Sequence, residues 1–156
     1  MENPTAQAAM LIRRPVAEVF AAFTDPAITS KFWFSEGSAL LHEVSQRAHW
    51  RWSWYGVESA VEVLEIGAPN LLKLRWGEGD DAGIVTWCLT PRDEAATFVE
   101  IEHTGFLGDG DAVLAQVRDS TEGFALVLAG AKAWLEQGVQ LNLVPDRHPD
   151  AHVEAR

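Results

Sequence analysis

From residue 38 to residue 105 the chain runs through six short segments of strand character, and no link between them can hold a helix. The segments fall near 38–45, 48–55, 58–66, 71–77, 83–91 and 96–105. Turn formers separate them, among them Tyr55-Gly56, Gly67-Ala68-Pro69-Asn70 and Pro91-Arg92-Asp93-Glu94. A parallel pair needs a crossover of a dozen residues or more, so consecutive segments must pair antiparallel as a meander. Leu72, Leu74 and Trp76 alternate with Lys73 and Arg75, which predicts one dry face and one wet face.

Helical periodicity brackets this sheet. Residues 6–13 read as a first strand, and Pro15 then opens a helix whose stripe is Val16, Val19, Phe20 and Phe23. Asp25-Pro26 stops it, and a second short helix is expected through Ile28, Phe32 and Trp33. After Gly105-Phe106-Leu107-Gly108-Asp109-Gly110, apolar residues from Val113 to Leu135 recur every three or four positions. They predict one long helix that ends at Gly138, a residue suited to a left-handed C-cap. About 25 residues span roughly 37 Å, enough to cross a whole sheet. The expectation is a single α+β domain over 1–138, followed by an extended or loosely ordered tail over 139–156.

Seven tryptophans stand in 156 residues, and Trp50, Trp52 and Trp54 alternate with Arg51 and Ser53. On a continuous strand those three indoles share a face, as the wall of a flat apolar pocket or as ordinary core. A curved sheet against a straight helix leaves a tapered gap, where a ligand would sit. Candidate ligand contacts are therefore Trp33, Trp50, Trp52, Trp54, Trp76, Trp87, His103, Phe124, Val127 and Leu128. His103 lies in phase with Val99 and Ile101, so it is the one weak catalytic candidate: a neutral imidazole there would orient a carbonyl or act as a base. The plain alternative is a histidine hydrogen-bonded at a strand end.

Several function classes are disfavoured. A net charge of −11 repels phosphate backbones and anionic lipid heads, so neither nucleic acid nor a membrane surface is an expected partner. A lone cysteine, Cys88, allows no internal disulfide, so a cytoplasmic setting is expected; it lies in an apolar strand and is expected to be inert core. No Gly-x-Ser-x-Gly elbow occurs. The closest pair of metal-ligand histidines, His148 and His152, is interrupted by Pro149, so no metal and no cofactor are expected.

A set of local strings carries a resemblance. Pro15-Val16-Ala17-Glu18-Val19-Phe20, Thr24-Asp25-Pro26, Lys31-Phe32-Trp33-Phe34, Trp50-Arg51-Trp52 and Ala68-Pro69-Asn70-Leu71-Leu72 come first. Trp76, His103-Thr104-Gly105-Phe106, Gly123-Phe124 and Trp134-Leu135-Glu136 follow. In this order they resemble the START-like (SRPBCC) helix-grip superfamily, and within it the group named after the activator of the heat-shock-protein-90 ATPase. The resemblance covers roughly residues 6–138. It implies a six- to seven-stranded curved antiparallel sheet wrapped around a long C-terminal helix, with two short helices after strand 1. It departs from that group at Ala48-His49, where paired glycines are frequent, and at Phe124, where tryptophan is common.

The superfamily includes lipid carriers, hormone receptors, polyketide cyclases and chaperone regulators, so the fold alone selects none of them. With no recognisable catalytic set, the expected function is non-enzymatic binding of a small hydrophobic or aromatic molecule, lipid- or polyketide-like. One alternative is a polyketide cyclase or dehydratase, for which His103 would have to meet an acid or an arginine. Another is a protein-interaction module acting on a chaperone, and a homodimer through an exposed sheet face or the tail is a further alternative.

Overall fold

A computed structural model describes residues 4–153. Strand β1 (Ala6–Ile12) leads into helix α1 (Val16–Thr24), which begins directly after Pro15 and buries Val19, Phe20 and Phe23. Helix α2 (Pro26–Thr29) starts on Asp25, whose carboxylate accepts from the Ala27 N–H at 3.0 Å. The strands that follow are β2 (Glu36–Gly37), β3 (Arg47–Trp52), β4 (Val57–Gly67), β5 (Leu71–Trp76), β6 (Gly83–Asp93) and β7 (Ala96–Thr104). Helix α3 (Gly110–Gln137) and helix α4 (Leu143–Arg147) complete the order.

All seven strands form one sheet in the order β1-β7-β6-β5-β4-β3-β2, and each neighbouring pair is antiparallel. The meander is therefore as the short links require, and β1 adds to its β7 edge. The sheet curls around α3 as a half-barrel, the helix-grip arrangement. Asp109 caps α3 by accepting from the Ala112 N–H at 2.9 Å, and Gly138 closes it in the left-handed region at φ 65°. Near its C-terminal end α3 is tied to the first strand. Lys132 donates to the Leu11 carbonyl at 2.7 Å, and Glu136 accepts from the Arg13 backbone N–H at 2.7 Å.

Aromatic rings dominate the core between sheet and helices. Trp33 is its hub, with ring centroids 4.9 Å from Trp50, 5.6 Å from Phe124 and 5.8 Å from Trp76. Edge-to-face pairs at these separations add to the gain from simple burial. The outer face carries the charges: Arg75 faces Glu62 at 3.7 Å and Arg51 faces Glu36 at 3.9 Å.

Four expectations are corrected. No strand forms over the expected 38–45; the short β2 lies just before it at Glu36–Gly37, and the residues that follow are held in a loop by the Gln46 side chain. Its amide accepts from the His42 N–H at 2.8 Å and donates to the Leu40 carbonyl at 2.6 Å, and Ser45 takes a φ of 70°. The strand expected over 48–55 stops at Trp52. Residues Ser53–Tyr55 form a 3-10 turn that Gly56 closes at φ 63°. Trp54 thereby leaves the face shared by Trp50 and Trp52, since alternation ends with the strand. Cys88 is exposed rather than core. It follows inward-facing Trp87 on β6, so it points out beside Glu100, and burial followed by the Glu100 and Glu102 charges pushes its thiol up.

The tail is the fourth correction. Instead of trailing, its described residues 139–153 fold back across α3 and the end of β3. The Tyr55 hydroxyl donates to the Val144 carbonyl, the Val153 N–H donates to the Trp54 carbonyl at 2.7 Å, and Arg147 pairs with Glu122. These partners are too far apart in sequence for periodicity to reveal. No helix among the described residues is long and apolar enough to cross a membrane.

Candidate functional site

The sheet and the N-terminal half of α3 diverge, and a cavity of about 910 Å³ opens between them. That volume lies in the range of small-molecule sites. Strand alternation places Trp52 and Trp76 on the sheet wall, and Trp33 reaches the same space from the segment after α2. On the helix wall stand Gln116, Ser120, Gly123 and Val127, spaced three or four residues apart along one face, with Phe124 beside Gly123. Phe106, in the loop between β7 and α3, forms part of the rim. The folded-back tail supplies Val144, His148 and Ala151, so that segment is part of the wall as well.

His103 is the most confined polar group of this space. Its ring sits in an aromatic box, with centroids 4.6 Å from Phe106, 5.4 Å from Trp76 and 6.0 Å from Phe124. Nδ1 shares a hydrogen bond of 2.7 Å with the Ser120 hydroxyl. The other edge packs on Gly83, where a Cβ would stand 2.6 Å from Nε2 and 2.8 Å from the Thr104 carbonyl oxygen. Only glycine leaves room for the imidazole there. Burial among rings disfavours the charged form and pushes the His103 pKa down to about 4. At neutral pH the cavity therefore presents an uncharged imidazole whose ring is held on three sides. With Nδ1 bonded to Ser120 and Nε2 against Gly83, the ring orients the Ser120 hydroxyl, which is the group left to meet a carbonyl or a phenol, and it places no charge in the apolar space.

The ten residues expected from sequence at a ligand are only partly gathered by the structure. Trp33, Trp52, Trp76, His103, Phe124 and Val127 border the cavity. Trp50, Trp87 and Leu128 pack elsewhere in the core. Trp50 lies against Phe34 at 5.0 Å, and Trp87 against Phe23 at 6.1 Å. Trp54 lies on the far side of the 3-10 turn, in a small crevice with Leu141 and Pro145. Sequence reasoning did not place Tyr55, Ser120, Gly123 or the tail residues at the cavity. The helix residues had a usable signal, for Gln116, Ser120, Gly123 and Val127 share one face. That signal was hidden because the apolar stripe drawn through Val113, Val117 and Thr121 runs beside it.

His148 and His152 do not face one another as a ligand pair. They flank the Tyr55 ring, with centroids at 6.2 Å and 5.3 Å. Among the described residues no group of three histidine, cysteine or acidic side chains is placed to hold a metal ion.

The family model described as Activator of Hsp90 ATPase homolog 1-like protein matches residues 13–135. No curated protein matches the chain. A protein of Staphylococcus saprophyticus known from its crystal structure is 25% identical with a TM-score of 0.76, over 88% of this chain and 96% of that one. A protein of the dynemicin biosynthetic locus is 22% identical with a TM-score of 0.75, over 89% of this chain and 49% of the other. The solution structure of the Aha1 dimer from Colwellia psychrerythraea is 16% identical with a TM-score of 0.73, over 86% and 98%. At such low identity the last two likenesses concern the fold.

Proposed function

The chain belongs to the activator of Hsp90 ATPase homolog 1-like protein family, and from that premise we propose that it binds a small aromatic or hydrophobic molecule between the sheet and α3, without chemically altering it. The observation that carries this reading is the cavity itself. About 910 Å³ is left open in a chain that otherwise packs its rings tightly, and interiors close-packed elsewhere do not leave such space by default. Indole faces offer apolar area to a flat guest, and His103 with Ser120 offers one polar anchor. A guest with a carbonyl or hydroxyl at its edge satisfies both.

Trp52 and Trp76 on the wall make the test direct. Titrating flat apolar ligands is expected to quench tryptophan emission to saturation, and Trp52→Phe and Trp76→Phe should each remove part of that response. A flat trace across a broad panel, with the protein folded, overturns the proposal.

Glu58 and Asp119 line the same cavity as His103, which supports a second reading, a cyclase or dehydratase acting on a polyketide-like substrate with neutral His103 as its base. Turnover of such a substrate that fails in His103→Gln while binding persists would replace the carrier reading. The family description also raises a chaperone-directed role. Recovery of Hsp90 by the immobilised protein, unaffected by a cavity-blocking substitution, would favour it over both.

A further inference from the structure

Gly123 has no reason to be glycine that the fold itself supplies. It lies inside the regular helix α3 and outside the left-handed region, so its backbone makes no special demand. A Cβ built on it meets no atom within 4 Å, so no neighbour needs the space. Gly130 on the same helix is the contrast. A Cβ there would stand 3.1 Å from the Phe32 Cβ and 3.4 Å from the Phe32 carbonyl oxygen, so close packing accounts for it. Glycine in a helix interior is less favourable than alanine, because it gives up more backbone freedom on folding. The chain thus carries an unfavourable residue in its longest helix, and the missing side chain changes only one thing. Gly123 stands on the cavity wall next to Phe124, between Ser120 and Val127, while Trp52 and Trp76 form the sheet wall.

We infer that a planar fused-ring guest lies face-on against the bare backbone at Gly123, in a slot whose width that glycine sets. The inference rests on the small-molecule reading of the cavity and adds the shape of the guest. A flat ring system gains from a smooth wall on both faces, whereas a slender alkyl chain bends past a methyl group. Ser120, hydrogen-bonded to His103, lies about one helical turn before Gly123, within reach of a polar atom at the ring edge.

The probes are 1-aminoanthracene, a planar tricycle, and 1-decanol, a flexible chain, both followed by calorimetry on the native protein, Gly123→Ala and Gly123→Leu. Gly123→Ala is expected to raise the melting temperature by about 2–4 °C. The same substitution should weaken 1-aminoanthracene about tenfold, the usual scale for one methyl too many in a filled space. Gly123→Leu should abolish that binding, and 1-decanol should change less than about twofold with Gly123→Ala. Unchanged binding of 1-aminoanthracene overturns the inference and leaves the carrier reading standing. Equal weakening of the two probes also overturns it, as does a lower melting temperature for Gly123→Ala, which would disclose a structural need for the glycine. If neither probe binds the native protein, the carrier reading and the inference fall together.

Discussion

His103 shows how far one residue's surroundings decide its chemistry. The sequence places it in phase with Val99 and Ile101, which is enough to turn it inward, but its box of rings comes from three other elements. Its lowered pKa has a consequence for stability. The unfolded chain takes up a proton at this histidine as pH falls below about 6.5, while the folded ring resists until about 4. Stability should therefore be flat above that window and fall within it, by about 1–2 kcal/mol once partial exposure of the ring is allowed for. Urea titrations between pH 7 and 4.5 should show the slope, and His103→Gln should flatten it. Gly83 is the second test at this scale. With a backbone carbonyl 2.8 Å from its would-be Cβ, Gly83→Ala cannot relax by moving the imidazole alone. A loss of about 2–3 kcal/mol in denaturant unfolding is expected, with the His103 titration displaced. Cys88 teaches the opposite lesson: it shares the outward phase of Thr86 and Thr90, opposite Val85, Trp87 and Leu89, and that alternation outweighs the apolar composition of the strand.

Strand β3 separates what element-level reasoning reaches from what it misses. Alternation located the strand and turned Trp50 and Trp52 the same way, and the structure agrees with both. It failed two residues later, where Gly56 in a left-handed conformation drew Ser53–Tyr55 into a 3-10 turn. Turn chemistry outweighed the strand pattern there. The two indoles on the strand also differ in work. Trp50 is 2% exposed, wedged against Trp33 and Phe34 away from the cavity, while Trp52 borders it. Trp50→Ala should cost about 3–5 kcal/mol in chemical denaturation. Trp52→Phe should leave stability within about 1.5 kcal/mol and show its effect in ligand titrations. Helix α3 was the most legible element of all, since its length and its glycine C-cap both follow from periodicity.

At the scale of the whole molecule, antiparallel order was legible because short links permit little else, while the strand number and the helix-grip closure followed from the family resemblance. The cavity was legible only as a probable gap, since its volume depends on how strongly the sheet curls, and no local pattern records that. The folded-back tail was not legible, for it is held by groups some 90 residues away, chiefly the Tyr55 hydroxyl bonded to the Val144 and Pro145 carbonyls. Tyr55→Phe removes those bonds and leaves the ring in place. It should cost about 1 kcal/mol locally, seen as amide exchange several-fold faster at residues 143–153 with the global melting point little changed. The outer surface of the sheet offers a practical use. The sole thiol of the chain, Cys88, projects from the side opposite the cavity, so maleimide coupling at mildly alkaline pH would fix every molecule to a sensor chip in one orientation. The cavity between sheet and helix would then face the flowing solution, unobstructed by the tether.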